Sequence, residues 1–357
     1  MRVLIATGGT GGHIYPALAL ADALKQRDPA AEIVFVGTAD RMEATEIPRA
    51  GYPFEAIGAR GMNGSAADRM RAVLCLIQSF FECRRIVQRC RPDICIGFGN
   101  YISVPVILAA HAAHVPTMLH EQNSYAGKAN RFLARFADKI VGCYQENLDQ
   151  FPPEKTRILG NPRASVAAGA QRDEQVIRQL GLNPKQPLVV IVMGSLGSDS
   201  VNAVMVTALK KMAGKPYQIL YVTGKAAYER MKGQTAEAEN IRLVPYIDGV
   251  RVLACADAAV VRGGATTAAE ITVLGLPSII IPSPYVPNNH QVLNARALQQ
   301  SGAALMIEEK DLTDDEIIAK IESVVFDPVR QESMRRAAKK LGHPDAAGQI
   351  LDWIEQK

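Results

Sequence analysis

Two stretches of the chain repeat one rhythm: a short unbroken run of apolar residues, a turn, and then a helical pattern. In the first stretch the runs are Val3–Thr7, Ile33–Val36, Ile94–Phe98, Thr117–His120 and Lys139–Val141. In the second they are Leu188–Met193, Gln218–Val222, Ala258–Val261, Ser278–Ile281 and Ala304–Ile307. Helical patterns interleave near 14–27, 67–91, 101–113 and 127–136, then near 200–213, 249–255, 266–274, 289–300 and 313–324. Runs that do not alternate with polar residues suit strands covered on both faces. Strands separated by helices are joined by crossovers, so the pattern predicts parallel sheets. The chain has 357 residues, room for about two domains of roughly 150. The expected fold class is α/β, two doubly wound domains facing each other across a cleft, with ligands past the carboxyl ends of the strands. The domains are expected at 1–162 and 163–340, with the hinge at Gly160-Asn161-Pro162 and a final helix, about 341–357, packing back on the first.

Composition excludes several classes. Apolar residues make up 48% and charged residues 21%, the profile of a globular chain with sizeable cores rather than a disordered or disulfide-stapled one. A net charge of +4 is too mild for a general nucleic-acid binder, so no nucleic-acid partner is expected. The six cysteines form no Cys-x-x-Cys pair and no zinc-spaced cluster with histidine, which reads as reduced thiols in a cytosolic protein. No secretory signal is expected, since Met1 leads straight into strand and glycines, and no apolar run of about 18 residues occurs to span a bilayer.

The turns carry the chemistry. Gly8-Gly9-Thr10-Gly11-Gly12-His13 follows the first strand and opens a helix, with Pro16 expected in its first turn. Glycines there permit positive φ and close backbone approach, and the helix N-terminus favours an anion such as a diphosphate. The dinucleotide fingerprint G-x-G-x-x-G fails, because counting from Gly9 the third position is Ile14, and no acidic residue looks suitably placed after the second strand. His13 is the candidate general base: the helix end disfavours imidazolium, which suits a base that starts neutral.

The second domain repeats the arrangement. Met193-Gly194-Ser195-Leu196-Gly197-Ser198 joins strand to helix, and Ser195 could donate its hydroxyl to a phosphate. Methionine at 193 breaks the G-x-S-x-G nucleophile elbow. Arg262-Gly263-Gly264-Ala265-Thr266-Thr267-Ala268-Ala269-Glu270 is a third such junction, and Glu270 could accept hydrogen bonds from vicinal ribose hydroxyls. Asn288-Asn289-His290-Gln291, with Asn294 a turn later, offers amides that suit sugar hydroxyls or an acetamido group better than a metal.

In order and spacing, Gly8–Pro16, His120-Glu121-Gln122-Asn123, Gly160-Asn161-Pro162-Arg163, Arg262–Glu270 and Asn288–Asn294 resemble the lipid-linked N-acetylglucosaminyltransferases of glycosyltransferase family 28. The resemblance implies a GT-B fold. It also implies an inverting transfer of GlcNAc from UDP-GlcNAc to the C4 hydroxyl of MurNAc in undecaprenyl-diphospho-MurNAc-pentapeptide (lipid I), at the cytoplasmic face of the membrane. Carried over, Ser195 would touch the donor diphosphate, the Ile247 backbone the uracil, and Glu270 the ribose. Arg262, Ala265, Thr266 and Thr267 would line the donor pocket. His290 and Gln291 would face GlcNAc, with Thr10, Gly11, Gly12 and Asn123 contributing from the first domain and Arg163 near donor phosphate or sugar. Leu196 stands where the family usually has glutamine, and His290 where many members do. No Asp-x-Asp triplet occurs, so no protein-bound metal cofactor is expected; any Mg²⁺ would ride on the diphosphate.

Residues 69–91 carry six arginines against Glu82, and Val73, Leu74, Ile77, Phe80 and Phe81 are spaced to share broad helical faces. Such a face could rest on anionic lipid headgroups, or be an ordinary core face with solvated ends. Two other activities stay open at this point: a UDP-GlcNAc 2-epimerase, which shares the scaffold, and a related transferase acting on another lipid acceptor.

Overall fold

The computed structural model describes residues 1–62, 64–194, 198–235, 238–286 and 289–356. It divides into two compact units, Met1–Ser165 with Asp345–Lys357, and Val166–Pro344. The first unit holds seven strands among the described residues: β1 Arg2–Ala6, β2 Glu32–Gly37, β3 Phe54–Ala56, β4 Ile94–Gly97, β5 Thr117–Glu121, β6 Lys139–Gly142 and β7 Thr156–Ile158. They lie in the order β3-β2-β1-β4-β5-β6-β7, all parallel; Leu4, for example, is registered with Val34 on one side and Cys95 on the other. The second unit holds β8 Leu188–Val192, β9 Gln218–Val222, β10 Ile241–Val244, β11 Ala258–Val261, β12 Ser278–Ile280 and β13 Ala304–Met306, again parallel, in the order β10-β9-β8-β11-β12-β13.

The interior strands are the unbroken apolar runs, buried on both faces as parallel sheets require. Each sheet splits its residues between two cores. In the second unit Val189 and Ile191 face one helical layer and Leu188 and Val190 the other. Both strand orders reverse beside the first strand of the unit, between β1 and β4 and between β8 and β11. Crossovers leave for opposite faces there and open a crevice at the carboxyl edge. The turn Gly8–Gly12, with the chain leaving β8 at Met193-Gly194 and the segments after β4 and β11, falls at these two reversals.

The C-terminal helix Ala346–Glu355 belongs to the first unit, against the helix Gly11–Arg27. Trp353, Ile350 and Leu351 are buried in one cluster with Val3, Leu20 and Leu24. Arg27 pairs with Asp352 at 2.6 Å, and the Lys139 ammonium donates to the carbonyls of Trp353 (2.5 Å) and Gln356 (2.6 Å), which the helix end leaves unbonded. Arg157 lies over the indole at 4.6 Å. Trp353→Ala should therefore destabilise the first unit by about 3–5 kcal/mol, read from far-UV circular dichroism in urea. A loss under about 1 kcal/mol would mean the helix is only loosely attached.

Candidate active site

In the first unit the turn after β1 is held from below by a carboxylate. Glu43 is fully buried six residues past β2, and accepts from the Gly9 amide (2.9 Å), the Thr38 amide (3.1 Å) and the Thr38 hydroxyl (2.7 Å). An acidic residue does therefore follow the second strand, but it serves the turn rather than a ribose. Gly9 has φ +87°, and a Cβ there would strike the Asn100 amide at 2.3 Å; that amide donates to the Gly8 carbonyl at 3.0 Å. The helix starts at Gly11, with Thr10 as N-cap making no side-chain cap bond and no acidic residue in the first turn. Its end is therefore electropositive, with Thr10 and Gly12 exposed. Pro16 is the sixth helical residue, past the first turn where the sequence put it, because the helix begins at Gly11 itself. With no N–H at 16, the Gly12 carbonyl lacks its intrahelical donor.

The segment after β5 meets this turn. Gln122, buried, contacts half-buried His13 at 3.1 Å. Glu121, also buried, binds the Asn123 amide (3.1 Å) and side chain (3.3 Å) with one oxygen, and the Gly127 amide and Asn130 side chain (both 2.9 Å) with the other. His120 is buried against Phe98, ring centroids 5.0 Å apart, and bonds the Gly160 carbonyl at 3.1 Å. That contact draws in Gly160–Arg163, where the Arg163 amide donates to Asn161 at 3.0 Å. Three motifs distant in sequence thus converge within one unit.

In the second unit, Ser195, Leu196 and Gly197 lie outside the described residues, as do Pro287 and Asn288. The other candidate residues of the second unit are described. Arg262, nearly buried, donates to Glu309 (2.6 Å), the Ile281 carbonyl (3.1 Å) and the Ser198 hydroxyl (2.6 Å), so its guanidinium ties the turn after β8 to that after β11. Gly264 caps the helix Ala265–Leu274, which has no acidic residue in its first turn, and a Cβ at Gly264 would meet open space. The helix after β8 instead begins with Asp199, paired with Arg230, which makes it the poorer seat for an anion. Glu270 is buried, Thr267 is half-buried, and Thr266 carries a buried hydroxyl with no partner. The helix His290–Gln300 docks on this turn: Asn294 donates to the Gly263 carbonyl at 3.1 Å, and a Cβ on Gly263 would lie 2.4 Å from the Gln291 carbonyl. Gln291 accepts from the Ser283 amide at 2.9 Å, and His290 is half-buried beside it. The Ile247 side chain is buried in the same core cluster as Ala268 and Ile271, so only its main chain can face a ligand. Among the described residues no cluster of His, Cys, Asp and Glu could hold a metal ion.

A third feature is the helix Ala66–Cys90. Ala72, Ser79, Cys83, Ile86 and Val87 face the core, while Met70 (63% exposed), Leu74 (60%), Ile77 (51%) and Phe81 (53%) form an outward stripe with Val73. Phe80 sits on the other side, half-buried against the core, because its position falls beside Ser79 and Cys83. Arg69, Arg71, Arg84 and Arg85 are exposed along the helix. Among the described residues no helix is long and apolar enough to cross a membrane.

Residues 3–141 match the glycosyltransferase family 28 N-terminal domain and residues 188–350 its C-terminal domain. The chain is 41% identical over 360 residues, 99% of each chain, to a UDP-N-acetylglucosamine–N-acetylmuramyl-(pentapeptide) pyrophosphoryl-undecaprenol N-acetylglucosamine transferase of Lactiplantibacillus plantarum. Among solved structures it is similar to Acinetobacter baumannii MurG, at TM-score 0.81 and 26% identity over 100% of this chain and 99% of that one. A putative UDP-N-acetylglucosamine 2-epimerase from Listeria monocytogenes shares the fold at TM-score 0.72 but only 15% identity, over 99% of this chain and 95% of that one.

Burial lowers the His120 pKa from 6.5 to about 4, partly offset by the bond to Gly160. The folded state thus favours the neutral ring. That contribution is complete above pH 6.5 and is lost as pH falls toward about 4, some 3 kcal/mol in all. Urea unfolding of the wild type and of His120→Gln should therefore converge by about 3 kcal/mol between neutral pH and about pH 4. Parallel pH curves would contradict the buried neutral ring.

Proposed function

This chain belongs to glycosyltransferase family 28, and from that premise we propose that it transfers N-acetylglucosamine from UDP-N-acetylglucosamine to the C4 hydroxyl of MurNAc in undecaprenyl-diphospho-MurNAc-pentapeptide, with inversion at C1. The observation that carries this is the full-length 41% identity to a transferase of that name. The 2-epimerases share the fold alone.

In this reading the second unit holds the donor. The helix Ala265–Leu274 turns its uncapped amides and Thr266 and Thr267 toward the diphosphate; Glu270 takes the ribose hydroxyls and the Ile247 main chain the uracil. Ser195 adds a hydroxyl to the diphosphate, and Arg262 keeps the adjoining turns in register. His290 and Gln291 face the sugar. In the first unit Thr10, Gly11 and Gly12 grip the acceptor's diphosphate at the helix end, while Asn123 and Arg163 complete the sugar and phosphate contacts. His13 takes the C4 proton as the oxygen attacks C1. The C1–O bond to UDP breaks in the same displacement, and its electron pair leaves with UDP, where helix dipoles stabilise it. Any Mg²⁺ rides on the diphosphate.

The outward stripe of the helix Ala66–Cys90, rimmed by arginines, supports peripheral docking on anionic lipid at the cytoplasmic face, where such an acceptor presents its head group. Nucleic acid has no place in this reading.

With radiolabelled UDP-GlcNAc and a short-chain lipid I analogue, label should pass to the lipid. His13→Ala should lower kcat about 10²- to 10⁴-fold. Formation of UDP-ManNAc from UDP-GlcNAc alone would contradict the assignment. Leu74→Glu and Phe81→Glu should each weaken binding to phosphatidylglycerol vesicles at least about 10-fold, with turnover of the water-soluble analogue unchanged. Unchanged vesicle binding would remove the docking face.

A further inference from the structure

A chain of hydrogen bonds that ends on His13 fixes where its proton sits. The His120 Nε2 lies 3.1 Å from the Gly160 carbonyl, which can only accept, so Nε2 carries the hydrogen and Nδ1 the lone pair. Cys143 Sγ, 4.0 Å from the same nitrogen, is a weak partner, and burial keeps its thiol protonated. The Gln122 Nε2 lies 3.1 Å from His120 Nδ1, 3.1 Å from the Phe98 carbonyl and 3.3 Å from the His120 carbonyl. All three are acceptors. Turning the amide over would set its oxygen against two carbonyls and a lone pair, so chemistry alone assigns nitrogen to that side. The Gln122 Oε1 therefore faces His13 Nδ1, at 3.1 Å, and an amide oxygen accepts. His13 must donate from Nδ1, which leaves the lone pair on Nε2. This is the reverse of the tautomer a histidine prefers in water, so the surroundings impose it.

We propose that Gln122 and His120 are positioning residues. Reading outward from the Gly160 carbonyl, they relay one hydrogen-bond polarity through a buried ring and a buried amide, and hold His13 as the Nδ1–H tautomer with Nε2 as its proton-accepting atom. The inference rests on the reading of His13 as the base, and it adds what makes that nitrogen basic before substrate arrives. Neither positioning residue touches substrate. The neutrality of buried His120 is part of the device, because a protonated ring would offer Gln122 a donor where it needs an acceptor. A buried amide with every arm committed has one orientation, so the relay has one sense.

The test is long-range ¹H–¹⁵N NMR on the full chain with labelled histidine, at mildly alkaline pH where the imidazoles are neutral. The six histidine signals are assigned by single His→Asn variants. His13 and His120 should show opposite tautomers, Nδ1–H in the first and Nε2–H in the second. In Gln122→Leu the His13 proton should move toward Nε2. kcat should then fall about 10- to 10²-fold, within what a general base supplies, with the KM for UDP-GlcNAc unchanged. Nε2–H on His13 in the wild type, or a Gln122→Leu enzyme with unaltered tautomer and kcat, would overturn the relay. If Gln122→Leu fails to fold, the wild-type tautomers decide alone. Should the tautomers be as stated while His13→Ala retains full kcat, the base assignment falls and the relay stands as a structural feature. Should His13→Ala abolish transfer while wild-type His13 carries Nε2–H, the relay falls and the base assignment survives.

Discussion

A parallel sheet must carry its chain back across one face between every pair of strands, and where successive crossovers choose opposite faces the carboxyl edge is left uncovered. Both units of this protein have that gap beside their first strand, and in each a strand-to-helix turn on its rim has a glycine with no room for a side chain. A Cβ on Gly8 would lie 2.4 Å from the Glu43 carboxyl, and one on Gly263 would lie 2.4 Å from a main-chain carbonyl. Glycine is required at these points so that the next helix can start at once, with its first amides directed outward. The main-chain part of the proposed phosphate recognition follows from that geometry.

Turns of this kind would be mobile without support, and buried charge supplies it. Glu43 fastens the turn after β1, Glu121 the segment after β5, and the Arg262–Glu309 pair the two turns of the second unit. Each carboxylate is hydrogen-bonded by several donors, which offsets the desolvation of a buried charge. None of the three needs to touch substrate to matter. Removing Glu43, for example, would leave the buried Thr38 amide and the half-buried Gly9 amide without their acceptor.

Much of this was legible in the sequence. Interior strands announce themselves by unbroken apolar runs, and the glycine turns by their position after them. The short edge strands β3, β7 and β10 do not: each carries a charged residue, Glu55, Arg157 or Arg242, because one border of an edge strand meets solvent. The His120–Asn123 motif was visible, but its internal division of labour was not, since two of its members act on residues dozens of positions away. Glu43 is not legible as a turn support, because an acid at a helix start looks like an ordinary dipole partner; only the fold shows it turned inward. Arg262 reads as a ligand contact in the sequence, and only the fold shows that its guanidinium also binds protein groups.

In the proposed function the two electropositive helix ends take different pyrophosphates, the second unit's that of the nucleotide and the first unit's that of the lipid. Backbone hydrogen exchange with and without UDP, resolved to single amides, tests that assignment most directly. Slowed exchange at 264–267, with 9–13 unaltered, is the result the account requires. Slowing at 9–13, or none at 264–267 under saturating UDP, would contradict it.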